Sequence, residues 1–149
     1  MAWDVVFGLA SLAVLPGRLV LIAAPRGIGW LEVIPRLVIP LCLSLLYSGL
    51  VMAYLYRSGG GFGSIEQVRQ MFASDPVLVA GWPHYLAFDL LIGCFAAARL
   101  DQAGLSRLVQ APILVTILLL GPLGLLVSLV TEAGAWGFRR HASTDGGFK

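Results

Sequence analysis

Four apolar runs dominate this chain, each near the length of about 20 residues that crosses a bilayer core of roughly 30 Å. They extend from Val5 to Ala24, Pro35 to Tyr56, Val77 to Leu100 and Val109 to Val130. In a chain of 149 residues they leave no room for a separate water-soluble domain. Only 12% of the residues are charged and 58% are apolar, against about 25% charged in an average soluble domain. That composition excludes an intrinsically disordered chain and a disulfide scaffold. A net charge of +2 provides no basic surface for nucleic acid or another polyanion.

The expected fold class is therefore all-α: a polytopic membrane protein with four transmembrane helices. Residues 1–133 form the transmembrane domain, and the polar, Gly-rich stretch 134–149 reads as a disordered tail. The first run is not a secretory signal, which wants a positive start. Here Asp4 stands there, and Pro16-Gly17-Arg18 interrupts the apolar core. No transit peptide precedes it, so the expected location is a bacterial inner membrane. Pro35 suits the first turn of the second helix, and Pro40, deeper, should kink it. Ser58-Gly59-Gly60-Gly61-Phe62-Gly63 cannot hold regular structure. Ser64-Ile65-Glu66-Gln67 reads as a capping box. It opens a short amphipathic helix with Ile65, Val68, Met71 and Phe72 on one face. This helix either lies in the membrane interface or packs as a lid on the bundle end. Asp75-Pro76 resembles a cap and first-turn proline for the third helix.

Aromatic residues near the ends of the runs mark the two interfaces: Trp3, Tyr54, Tyr56 and Trp136 on one side, Trp30 on the other. With an even number of crossings both termini share a side. That side then has Arg57, Arg69, Arg139, Arg140 and Lys149, against Arg26, Arg36, Arg99 and Arg107. The count of basic residues favours cytoplasmic termini.

Ionisable groups at depth are the candidate site, because they are costly in lipid and are functional or paired. At 1.5 Å per residue from the terminus side, Arg18 lies about 20 Å deep and Asp89 about 18 Å. Equal depth permits an ion pair between them. His84, Tyr85 and Tyr47 form a shallower layer at about 10 to 14 Å, while Thr116 and Ser44 fall at about 21 and 18 Å and complete a deep polar layer drawn from all four helices. This polar layer is either a site reached from the lipid or hydrogen-bonded glue between helices. Trp82, Tyr85 and Asp89 share one helical face. His84 is turned about 140° from Asp89 on an ideal helix. If Pro83 begins the span, Asp89 becomes shallower by about 9 Å and the Arg18 pair disappears. Histidine exchanges protons near neutral pH, and an unpaired carboxyl is a candidate acid. Cys42 and Cys94 lie inside apolar runs and read as packing residues. No set of three ligands at matched depth exists, so neither a metal nor a cofactor is expected. No nucleophile triad, phosphate loop or dinucleotide fingerprint is present.

The string Leu78-Val79-Ala80-Gly81-Trp82-Pro83-His84-Tyr85-Leu86-Ala87-Phe88-Asp89-Leu90 is distinctive. It resembles the signature of the abscisic-acid-deficient-four-like family of small membrane proteins. Leu15-Pro16 to Pro25, Phe62-Gly63-Ser64-Ile65 through Pro76, and Gly121-Pro122-Leu123-Gly124-Leu125-Leu126 extend the resemblance over about residues 5 to 130. The chain departs from the family pattern at Gly17 and Arg18, where an aromatic residue is expected, and at Cys94 to Ala98.

Plant members of that family are needed to make neoxanthin from violaxanthin. The resemblance thus implies a carotenoid or similar isoprenoid as ligand, in a groove between helices. The plant reaction turns an epoxide end-group into an allene with a tertiary alcohol, using an acid at the epoxide oxygen and a base at a nearby C–H. On this reading His84 and Asp89 are the catalytic pair, and Trp82, Tyr85, Tyr47, Arg18 and Thr116 line the substrate. An alternative is a non-catalytic subunit that binds carotenoid or stabilises a membrane enzyme partner. A proton pathway through Arg18, His84 and Asp89 is a third class, but no inverted repeat accompanies it.

Overall fold

A computed structural model describes the backbone of residues 2–145 and the side chains through residue 138. Helix α1 spans Ala2–Ala23, α2 Gly29–Tyr54, α3 Ile65–Phe72, α4 Asp75–Gln102 and α5 Arg107–Asp145. The described residues contain no strand. The chain is all-α, with four helices long and apolar enough to cross a membrane. It is a multi-pass membrane protein.

Local chemistry explains the helix details. Pro40 has no N–H for the carbonyl four residues back, and Ile34–Val38 adopts a π-turn that accommodates this. Helix α4 passes through Pro83 without ending, so the span starts at Asp75 and not at Pro83. Ser74, not Asp75, occupies its cap position, and it makes no side-chain cap bond. The capping box of α3 forms. Ser64 Oγ accepts from Gln67 N at 3.2 Å, while Gln67 Oε1 accepts from Gly63 N at 3.0 Å, one residue earlier than the usual pattern. Helix α3 is a lid. Met71 is buried and Phe72 abuts Gly81, while Ile65 faces outward. The glycine run closes this lid, because Gly61 N donates to Gln67 O at 3.2 Å. Any side chain on Gly60 would strike the backbone of α3 at Gln67 and Met71.

Helix α4 is the centre of the bundle, and Leu86, Leu90 and Leu100 are completely enclosed on it. Helix α1 runs parallel to it, with Ser11 beside Trp82 and Leu21 beside Gly93. Helix α2 runs antiparallel, with Tyr47 beside His84. Lipid provides no hydrophobic force between helices, so close van der Waals packing holds them. A methyl group on Gly17 would lie 2.8 Å from Leu90 Cδ2, and one on Gly93 2.7 Å from Leu21 Cδ2. The departure from an aromatic residue at Gly17 is thus what lets α1 lie this close.

The fourth apolar helix folds back on itself. At Leu120 and Gly121 the backbone leaves the helical region, with φ/ψ of −135°/35° and 9°/−82°. Residues 107–119 form one arm and 122–145 another, and the second returns alongside the first. Three observations establish the reversal. Arg99 Nε and Nη2 donate to Glu132 at 2.6 and 2.9 Å. Gly121 abuts Asp89, and from there Arg99 and Glu132 lie about 15 and 16 Å along their helices. A straight α5 would separate this pair by about 30 Å. Gly124 also packs on the backbone of Ile117, where any side chain would collide, and Val127 borders the same cleft as Pro112 and Thr116.

This hairpin corrects three expectations. The termini point to opposite ends of the bundle. Trp136 lies at the Trp30 end, while Trp3 and Tyr54 meet edge-on at 5.4 Å at the other. The backbone is helical from residue 134 to Asp145, where composition predicts a disordered tail. Residues 146–149 fall outside the described backbone. The end that receives the second arm is polar. Arg107 Nη2 donates to the Ala24 carbonyl at 2.6 Å and to that of Ile22 at 3.3 Å. Asp101 accepts from Arg26 at 3.1 Å and from Gln110 at 2.7 Å. Burial and the neighbouring Arg107 charge draw Arg26 below the ordinary arginine range, and Asp101 opposes them.

Candidate functional site

The break in α5 lies level with Asp89, halfway along α4. A helix end leaves its last four carbonyls without intrahelical partners. In lipid such groups must be satisfied by the protein. Two side chains from other helices do this. Arg18 Nη2 of α1 donates to Leu118 O at 2.8 Å, and the Tyr85 hydroxyl of α4 donates to Leu119 O at 2.5 Å. A cation thus sits at the negative end of the first arm, the favourable sense for a helix dipole. Asp89 lies at the start of the second arm. A methyl group on Gly121 would be 2.5 Å from Asp89 Oδ1. The broken helix therefore has an arginine at one new terminus and a carboxylate at the other.

The Arg18–Asp89 ion pair that equal depth permits does not form. The two groups are electrostatic neighbours, but Arg18 is drawn to the Leu118 carbonyl. Asp89 is 4% exposed. Among the described residues its Oδ2 is buried without a hydrogen-bond partner, as is Arg18 Nε. The polar groups acting on the Asp89 carboxyl are Tyr85 and Arg18. A row of rings leads to this centre from the N-terminal end of α4. Phe7 stacks on Trp82 at 4.7 Å, Trp82 on Tyr85 at 5.5 Å, and Trp82 Nε1 donates to Ser11 Oγ at 2.8 Å. The hairpin stops short of this half of the bundle. In the row Trp82 and Tyr85 are half-buried and Phe7 is exposed, and the tip residues Leu119 and Leu120 are exposed.

His84 belongs to a different place. It faces α2, between Tyr47 at 5.1 Å and Phe88 at 4.6 Å between ring centres. The helical phase that separates His84 from Asp89 in the sequence is therefore real, and Pro83 does not undo it. Tyr47 goes with His84, while Trp82, Tyr85 and Arg18 go with Asp89. Thr116 joins neither group. It donates to Pro112 O at 2.8 Å on the first arm, beside the cleft that Val127 of the second arm borders.

Sequence reasoning omitted Gly121, whose lack of a side chain makes room for the Asp89 carboxyl. It also missed the carbonyls of Leu118 and Leu119. The available signal was Gly121-Pro122 inside an apolar run, a pair that removes a side chain and an N–H at adjacent positions.

The sequence model of the family described as ABA DEFICIENT 4-like matches residues 5–127. That range contains every side chain just described at the helix break and around His84. No curated protein and no solved structure matches the chain.

Proposed function

The chain belongs to the ABA DEFICIENT 4-like family, and from that premise we propose that it binds a carotenoid or similar isoprenoid and isomerises its end-group at Asp89. The setting is a bacterial inner membrane. The observation that supports this reading is the buried Asp89 carboxyl, with Oδ2 unpartnered among the described residues, at the end of a partly exposed row of aromatic rings. A flat polyene suits stacked rings. A lipid-soluble substrate reaches such a row directly from the bilayer, and movement of the exposed tip at Leu119 and Leu120 brings its end-group to the carboxyl.

The chemistry is an isomerisation with no atom gained or lost. Protonated Asp89 gives its proton to the epoxide oxygen. The carbon–oxygen bond breaks on the side nearer the polyene, and the oxygen remains on the adjacent ring carbon as an alcohol. The electron pair of the neighbouring C–H bond forms the new double bond of the allene. The carboxylate takes the released proton and ends as it began. One carboxyl thus performs both the acid and the base role, and His84, on the opposite face, is not required at this centre.

The test is pigment chromatography from a carotenoid-producing bacterial host expressing wild type, Asp89→Asn or His84→Ala. The expected result is a new end-group isomer with wild type and with His84→Ala, and none with Asp89→Asn. Wild-type pigments identical to the empty vector, with folded protein in the membrane, would overturn the proposal.

A further inference from the structure

A cavity of about 300 Å³ lies between α2, α4 and the α3 lid. Phe62, Met71 and Phe72 wall it from the lid side, Gly81 opens its floor, and Tyr47, half-buried, and His84, exposed, border it. Tyr47 is seven residues inside the end of α2, and His84 nine residues inside the start of α4. At 1.5 Å per residue those positions are about 10 and 13 Å deep. Their rings touch, yet among the described residues neither the Tyr47 hydroxyl nor a ring nitrogen of His84 has a hydrogen-bond partner. A polar group left without a partner in hydrocarbon costs several kcal/mol. Two adjacent ones facing a cavity call for an occupant that supplies an oxygen atom.

We propose that this cavity is a second ligand site, separate from Asp89, for the oxygen-bearing ring of a neutral lipid. Three features define that ligand. Among the described residues no arginine, lysine or carboxylate lines the cavity, so a phosphate or carboxylate head would be buried without a counter-charge. Tyr47 and a neutral imidazole each offer one donor, and together they can hold one carbonyl or hydroxyl oxygen. Phe62 and Phe72 provide apolar walls for a flat ring. The glycine loop and α3 close over the outer end, so the ring enters from the lipid between α2 and α4.

The experiment uses the full chain in nanodiscs and measures equilibrium binding of three probes. Decylubiquinone carries a ring carbonyl, 3-hydroxy-β-ionone a ring hydroxyl, and laurate a charged head. The expected result is binding near one to one for at least one ring probe, and which of the two binds identifies the oxygen. Tyr47→Phe and His84→Ala should each weaken it about threefold to tenfold, the scale of one neutral hydrogen bond. Gly81→Leu, which fills the floor, should weaken it about tenfold or more. Gly8→Ala, at a glycine with open space around it and outside the cavity, should leave it unchanged. Tyr47→Phe removes one hydroxyl only and so remains informative if Gly81→Leu fails to fold. Absence of binding by both ring probes, equal binding of laurate, indifference to Tyr47→Phe and His84→Ala, or an equal loss in Gly8→Ala would each overturn the proposal.

Discussion

Arg99 on α4 holds Glu132 on the second arm of α5 through two hydrogen bonds, 2.6 and 2.9 Å long. The pair exists because the chain reverses at Gly121, and it locks the returning arm against the helix that the first arm descends. With three helices running the length of the bundle and a fourth folded into a hairpin, the two ends of the described chain lie at opposite ends of the bundle. The hairpin end then collects Arg26, Arg36, Arg99, Arg107, Arg139 and Arg140, against Arg57 and Arg69 at the other. Redistributed in this way, the basic residues predict an outside N-terminus and a cytoplasmic C-terminus. Reporter fusions at each end in a bacterial host check this. Alkaline phosphatase should be active at the N-terminus and green fluorescence should appear at the C-terminus. The same compartment for both ends would contradict the hairpin.

The hairpin depends on two glycines having no side chain. Gly124→Ala would push a methyl group into the Ile117 backbone, and Gly121→Ala would push one against Asp89 Oδ1. Each should destabilise the fold by about 1–3 kcal/mol, the usual scale of overpacking. Gly8, which has open space around it, serves as control, and Gly8→Ala should be neutral or slightly stabilising. Thermal unfolding of the three variants in one detergent makes the comparison.

The carbonyl caps should be measurable separately. Arg18→Met leaves Leu118 O without its donor and should cost about 1.5–3 kcal/mol, the range for a charged hydrogen bond. Tyr85→Phe removes the weaker neutral bond to Leu119 O and should cost about 1 kcal/mol. Equal midpoints for Arg18→Met and wild type would show that Leu118 O is satisfied in another way.

At the opposite end Asp101 joins Arg26 to Gln110. Asp101→Ala leaves Arg26 with the repulsion of Arg107 and no partner. It should destabilise by about 1–3 kcal/mol, chiefly through the charge left unpaired. Adding Arg26→Leu should recover part of that loss. A double-mutant cycle on the four proteins reads the coupling, and strictly additive losses would show that the pair is too solvated to matter.

Most of the helices are readable because lipid imposes a simple rule: about 20 apolar residues in a row. Val5 to Ala24 ends one residue beyond α1, and Val77 to Leu100 falls within α4. The α3 capping box was equally legible, since Ser64 and Gln67 act over three residues. What sequence could not give was the direction of the last helix. Hydropathy is the same for a helix that crosses and for two half-length arms, and the reversal depends on contacts such as Arg99 with Glu132, 33 residues apart. The site was split for a related reason. Depth alone groups Arg18, Asp89 and Thr116 and sets His84 and Tyr47 in a shallower layer, whereas helical phase also sends His84 to one side and Asp89 to the other. The 140° phase angle was the better guide. Arg18 shows the limit of pairing by charge, because its partner is a carbonyl that only the break in α5 sets free.

The returning arm also bears on how the protein is made. Each arm before and after Gly121 enters and leaves from one side, so the insertion machinery never has to carry the segment after Glu132 through the bilayer. Arg139 and Arg140 remain on the side where they emerge from the ribosome, and the hairpin can enter late, as a unit, against three helices already in place. A domain fused after residue 149 should therefore be tolerated whatever its size or charge, whereas one fused ahead of Met1 has to be exported.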